Sequence, residues 1–174
     1  MATKIKYTAF VASSIDGRIA QNSQSGTNWT SLADWNFFQK SLTKMEAVIV
    51  GRNTYKLAET RLKKRDTIVL TSKVQKFSSV GSVIFFNPQK SNLEKFLQKK
   101  KYKNVAVLGG SKVYNFCLLN KMLDELFVTI EPYVFTTGVP MFFGAIFKKH
   151  KFVLKSIKKL NKQGTILLQY KNAN

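Results

Sequence analysis

The sequence predicts an α/β fold: a three-layer domain with a mostly parallel central sheet and an antiparallel C-terminal hairpin. Short apolar runs rich in Val and Ile recur along the chain, each too brief for an ordinary helix. Amphipathic helical patterns lie between them. The final stretch, "KFVLKSIKKLNKQGTILLQYK", reads as two strands joined by a turn over residues 161–164.

The predicted strands are "YTAFVAS" (7–13), "AVIVG" (47–51), "TIVLTS" (67–72), "SVIFF" (82–86), "VAVLGG" (105–110) and "LFVTI" (126–130). Runs that stay apolar without alternating fit strands covered on both faces. The first predicted helix, "SLADWNFFQKSLTK" (31–44), carries Leu32, Trp35, Phe38 and Leu42 on one stripe. Its start is a capping box, with Ser31 at N-cap and Asp34 at N3. Arg52, Asn53 and Thr54 suit the first turn of a helix directly after Gly51. "SNLEKFLQKK" (91–100) is short and amphipathic, and "SKVYNFCLLNKML" (111–123) places Val113, Tyr114, Cys117 and Leu118 inward. No repeat or low-complexity linker interrupts the pattern, so residues 1–174 are expected to form one domain.

Composition narrows the function classes. A hydrophobic fraction of 44% over 174 residues supports a sizeable core and argues against disorder. The single cysteine, Cys117, has no internal disulfide partner, and the single histidine, His150, is too little for a histidine-based metal site. No metal is expected. "MATKIKYTAFVASS" has neither a signal-peptide pattern nor a membrane span, so a cytoplasmic location is expected. The net charge of +20 reads as a lysine-rich solvated surface or as the footprint of an anionic partner. Its densest clusters are "QKKKYKN" (98–104) and "FKKHKF" (147–152). A basic nucleic-acid-binding module is the non-enzyme rival. It lacks support from zinc-finger spacing, an arginine-rich arm or an RNA-recognition signature.

Parallel sheets bind ligands beyond the carboxyl ends of their strands. In "VAVLGGSKVY", Gly109 and Gly110 let backbone pass close to a ligand, the following helix offers free N–H groups, and Lys112 adds charge. The same glycines also read as a tight turn that serves packing alone. "VIVGRNTY" repeats the arrangement with Gly51, Arg52, Asn53 and Thr54. "VLTSK" adds Thr71, Ser72 and Lys73 at another strand end. Together they predict a ligand with several phosphates, such as a dinucleotide. A 2′-phosphorylated form would suit Arg52, Lys73, Thr71 and Ser72. "NWTSLADWNFF" (28–38) sets Asp34 among Trp29, Trp35, Phe37 and Phe38. As a capping residue it faces its own helix start. As a pocket carboxylate it can pair with two adjacent N–H donors, the edge that aminopyrimidines and pterins present.

These segments resemble the dihydrofolate reductase superfamily over nearly the whole chain. "GRNTY", "LGGSKVY" and their separation are the shared features. The resemblance implies NADPH as cofactor and a pterin or pyrimidine small molecule as substrate. Two branches are represented. "SSIDGRIA", "LDEL" (123–126) and "TGVPMF" (137–142) look like the pyrimidine reductases of riboflavin biosynthesis, which act on a ribosylaminopyrimidine phosphate. Trp29, Asp34 and Phe38, at the family's spacing, look like dihydrofolate reductases. So do Arg65, placed to hold a folate glutamate carboxylate, and Thr129, placed to back the pocket carboxylate. Val139 follows Gly138 where many dihydrofolate reductases carry an acid, "RLKKR" replaces the proline-rich "PLPGR", and the loop from Ser13 to Asn28 departs from the usual mobile loop.

The leading expectation is NADPH-dependent reduction of 7,8-dihydrofolate to tetrahydrofolate. In the resemblance, Val11, Ala12, Trp29, Asp34, Phe38, Arg65 and Thr129 bind substrate, and Asp34 is catalytic. Ala12, Ile19 and Ala20 meet the nicotinamide. Gly51 to Thr54, Thr71 to Lys73 and the segment Leu108, Gly109, Gly110, Ser111, Lys112, Val113 and Tyr114 hold the rest of the cofactor. Reduction of the riboflavin pyrimidine is the alternative. Monomer and homodimer remain open.

Overall fold

The computed structural model describes residues 4–144 and 146–173. Met1 to Thr3, the start of the N-terminal stretch discussed above, lie outside them. In chain order the elements are β1 (Lys6–Ser13), β2 (Arg18–Ala20), α1 (Leu32–Leu42), β3 (Ala47–Gly51) and α2 (Arg52–Leu62). Then follow β4 (Asp66–Leu70), β5 (Phe77–Val80), β6 (Val83–Phe86), α3 (Leu93–Lys99), β7 (Asn104–Val107) and α4 (Ser111–Leu119). The chain closes with β8 (Glu125–Ile130), β9 (Val139–Pro140), β10 (Phe152–Lys159) and β11 (Ile166–Asn172).

Among the described residues, nine strands form one sheet in the order β10-β11-β8-β1-β7-β3-β4-β6-β5. From β8 to β6 every pairing is parallel. The C-terminal hairpin adds β11 and β10 antiparallel at one edge, as the sequence predicts. The opposite edge ends in a second antiparallel strand, β5, which the sequence reading lacks. β2 and β9 form a separate two-stranded ribbon.

The continuous apolar runs follow from coverage on both faces. Along β3, Ala47 and Ile49 join one core with Leu93, Leu97, Val113 and Cys117, from α3 and α4. Val48 and Val50 join the other with Leu42, Tyr55 and Leu62, from α1 and α2. Burying one such aliphatic side chain contributes roughly 1.5–3 kcal/mol.

Two predicted details change. Leu32 is not inward: it is 72% exposed, because it opens α1 between the main cleft and a smaller cavity. The buried residues of α1 are Asp34 and Leu42. The strands expected to run to Ser72 and Gly110 stop at Leu70 and Val107, which leaves the polar and glycine residues free as loops.

Candidate active site

The carboxyl ends of β1, β3, β4, β7 and β8 open onto a cleft of about 1540 Å³. Strand order sets its layout. Ala12 and Thr129, from the neighbouring strands β1 and β8, lie toward one side; Gly51 and Thr71, from β3 and just past β4, lie toward the other. Val11, Ile19 and Ala20 also line it, with Ala20 brought in by the pairing of β2 with β9. That ribbon is tight: a Cβ on Gly138 would lie 2.5 Å from the Ala20 carbonyl oxygen.

Asp34 is 9% exposed and sits on the cleft wall. Half of the predicted capping box is present, since the Asp34 N–H donates to Ser31 Oγ at 3.2 Å. The Thr129 hydroxyl backs its carboxylate, and the Thr30 hydroxyl, which donates to the Thr27 carbonyl at 3.2 Å, lies close by. Burial pushes the carboxyl above the usual aspartate value; the two hydroxyls oppose that rise and the nearby Glu131 charge adds to it. The wall continues in rings. Phe38 meets Phe10 edge-on at 6.0 Å and Trp35 at 6.1 Å, and the Arg61 guanidinium lies 4.6 Å from the Trp35 ring centre.

Trp29 does not join this wall. Its ring packs edge-on against Phe135 at 4.8 Å and lines the smaller cavity, of about 350 Å³. It lies before the helix start, so the helical stripe that aligns Asp34 with Phe38 does not orient it.

The glycine turns sit where strands meet helices. The Gly51 N–H donates to the Gly109 carbonyl at 2.7 Å, and a Cβ on Gly51 would lie 3.2 Å from Val113 Cγ2. Gly109 has φ +90°, and its peptide bond to Gly110 is cis. Gly51 and Gly110 are the N-caps of α2 and α4, with no side-chain cap and no acid in the first turn of either helix. By contrast, α1 and α3 carry Ser31 and Asn92 caps and first-turn acids. The starts of α2 and α4 therefore present N–H donors and positive dipole ends to the cleft.

Arg52, Asn53 and Thr54 of α2 line the cleft, as do Lys112, Val113 and Tyr114 of α4. Leu108, Gly110, Thr71 and Ser72 line it too. Ser111 spends its hydroxyl on the Pro140 carbonyl at 2.5 Å. Lys73 is exposed and off the cleft, and Gly109 stands behind it with its carbonyl turned to Gly51. Arg65 lines the cleft and also braces α1, with Nη2 donating to the carbonyls of Leu42 at 2.8 Å and Met45 at 3.3 Å.

The sequence reading missed Glu131, a fully buried acid just past β8. An acid closing the run "FVTIEP", in a chain with nine acids, was the available signal. It also missed the lining from the segment after β2, including Asn22, Ser23, Thr27 and Asn28. Among the described residues, no helix is long and apolar enough to cross a membrane, and no cluster of His, Cys, Asp and Glu could hold a metal ion.

Comparison with known proteins agrees with this architecture. A family model described as dihydrofolate reductase matches residues 7–166. A Bacillus subtilis protein described as uncharacterised protein YwjB is 24% identical over 145 residues, covering 79% of this chain and 82% of that protein. A pyrimidine reductase-like protein from Corynebacterium diphtheriae superposes with a TM-score of 0.78 at 15% identity, over 98% of this chain and 92% of the other. A dihydrofolate reductase from Enterococcus faecalis, complexed with NADP(H) and RAB-propyl, superposes with a TM-score of 0.66 at 24% identity, over the full length of both.

Proposed function

The chain belongs to the dihydrofolate reductase family, and on that premise we propose that it forms one catalytic domain reducing 7,8-dihydrofolate to tetrahydrofolate with NADPH. The observation that carries the reading is Asp34. It is a buried carboxylate on the wall of a large cleft, backed by Thr129 and flanked by the Phe38 ring. A carboxylate in that setting pairs with the amidine-like edge of a pterin through two parallel hydrogen bonds. Its raised affinity for a proton favours the neutral acid more than in an ordinary aspartate, which suits delivery of a proton toward N5, through a water.

The cleft fits a dinucleotide phosphate. The glycine-capped starts of α2 and α4 supply N–H donors, and a Cβ at Gly51 would crowd Val113. Arg52, Thr54, Thr71, Ser72 and Lys112 would hold the phosphates and ribose, while Ala12, Ile19 and Ala20 would border the nicotinamide. When bound, the cofactor supplies the hydride that adds to C6 of the substrate, and the N5=C6 double bond takes up one hydride and one proton. The chain's own part is to place the pterin on Asp34, keep the site dry with Phe10, Phe37 and Phe38, and anchor the glutamate carboxylate at Arg65.

A second reading is reduction of a ribosylaminopyrimidine phosphate. The β2–β9 ribbon favours it, because it is built from "SSIDGRIA" and "TGVPMF", the segments that resemble the pyrimidine reductases. Initial rates of NADPH oxidation with each substrate in turn separate the two. Turnover of dihydrofolate with no turnover of the pyrimidine supports the first reading. The reverse replaces it with the second.

A further inference from the structure

The capping box at α1 is closed by an outside residue. In a complete box the acid at N3 reaches back to the N-cap N–H. Here the Ser31 N–H donates instead to Oε1 of Glu131, at 2.7 Å. We infer that Glu131 is a positioning residue for Asp34: it takes the helix-start N–H that Asp34 would otherwise claim and so leaves the Asp34 carboxylate facing the cleft. This rests on the role proposed above for Asp34.

The surroundings of Glu131 are built for that task. The residue is 2% exposed. Its other oxygen, Oε2, accepts from Thr165 Oγ1 at 2.7 Å. Thr165 is itself fixed by Asn161, whose Nδ2 donates to Thr165 Oγ1 at 2.7 Å and whose Oδ1 accepts from the Thr165 N–H at 3.0 Å. The Glu131 N–H donates to the Ser13 carbonyl at 2.9 Å, which ties the segment to the end of β1. Neither ion pair among the described residues, Lys6–Glu125 or Arg18–Asp16, includes it. A buried carboxylate without a cation is costly, and packing alone would be served by an apolar side chain. The hairpin turn between β10 and β11 thus braces the acid that frees Asp34.

Glu131 has a second effect through its charge. Of the ionisable groups around the cleft, Glu131, beyond β8, acts on the Asp34 carboxyl and the Tyr114 phenol on α4 is kept neutral by burial, while Arg52, Arg61, Arg65 and Lys112 line the same cleft. The Glu131 charge makes the Asp34 proton harder to remove. Two variants separate position from charge. Glu131→Gln keeps an acceptor for the Ser31 N–H and loses the charge. Glu131→Ala loses both.

The test is a pH titration of the Asp34 carboxyl by carbon NMR in the free protein, assigned with Asp34→Asn, alongside dihydrofolate turnover against pH. In Glu131→Gln the Asp34 midpoint moves to lower pH. The alkaline fall of turnover moves with it, and turnover on the low-pH plateau stays near wild type. In Glu131→Ala the Ser31 amide signal begins to track Asp34 ionisation, and kcat falls on the order of 10²-fold, as for a misplaced catalytic group. A Ser31 amide that stays blind to Asp34 ionisation in Glu131→Ala, or wild-type turnover in that variant, overturns the inference. The NMR readout needs no substrate. An inactive wild type therefore counts against the proposed reaction, while the Ser31 amide in Glu131→Ala still decides the role of Glu131.

Discussion

Replacing Asp34 by asparagine separates chemistry from folding at the centre of the site. Asparagine has the same shape, and its oxygen can still accept from the hydroxyl of Thr129, which backs the carboxylate. It cannot accept two side-by-side N–H donors with two oxygens, and it has no proton to give. Loss of a charge-assisted paired contact costs about 1.5–3 kcal/mol, one to two decades in rate. Loss of a positioned proton donor removes about 10²–10⁴-fold. The two overlap, so the expected fall in dihydrofolate kcat/KM is roughly 10³-fold or more. Stability moves the other way. Burial raises the Asp34 carboxyl, so the stability this group contributes is fully present below the ordinary aspartate value of 3.8 and is lost as pH rises through the raised value in the fold. Asp34→Asn carries no such loss. The variant should melt at or above the wild-type temperature at neutral pH, with the advantage vanishing in acid. NADPH affinity should be unchanged, since the residues proposed to hold the cofactor, on β1, β2, α2, α4 and the loop after β4, are left intact. Steady-state kinetics, thermal melts at two pH values and a cofactor titration read all three. Turnover near wild type, or a loss of activity matched by a loss of folded protein, would show that Asp34 does not serve the chemistry.

At the end of the cleft proposed for the cofactor, Gly51→Ala places a Cβ 3.2 Å from Val113 Cγ2 between the starts of α2 and α4. It should weaken NADPH binding by about tenfold, roughly 1.4 kcal/mol, in a fluorescence titration; unaltered affinity would show that these helix starts do not hold the cofactor. Arg65→Leu should lower the melting temperature, because the carbonyls of Leu42 and Met45 lose their donor. It should also raise KM for dihydrofolate while leaving KM unchanged for a dihydropteroate lacking the glutamate. Equal losses on both substrates would leave Arg65 a brace for α1 alone. The Cys117 thiol is buried, and burial pushes it up to about 12, so a thiol reagent at mildly alkaline pH should label it only after denaturation. Rapid labelling of the folded protein would contradict the packing of α4.

The parts of the fold readable from sequence are those governed by local pattern. Runs such as "AVIVG" are apolar throughout because Ile49 and Val48 face different, equally dry cores. The pauses at Gly51 and Gly109–Gly110 are readable because the chain must turn sharply from strand to helix there. β5, β2 and β9 escaped notice for the opposite reason. "FSSV" and "RIA" carry too little periodicity to mark a strand, and their partners are fixed only by tertiary contact. Asp34 was legible as both a cap and a pocket carboxylate, and spacing alone did not separate the two. What separates them is Glu131, which lies 100 residues from Ser31 in sequence and meets it only in the fold. Trp29 shows the converse: a spacing shared with a family does not orient a side chain outside the helix that sets the spacing.

Everything proposed for the site turns on Asp34 receiving the pterin. Its most direct test is a crystal structure of the protein with NADPH and folate. Both carboxylate oxygens of Asp34 should lie at about 2.7–2.9 Å from the 2-amino group and the adjacent ring nitrogen. The nicotinamide should lie beside Ala12 and Ala20. A pterin bound away from Asp34, or an Asp34 carboxylate turned back onto the Ser31 N–H with folate in place, would contradict it.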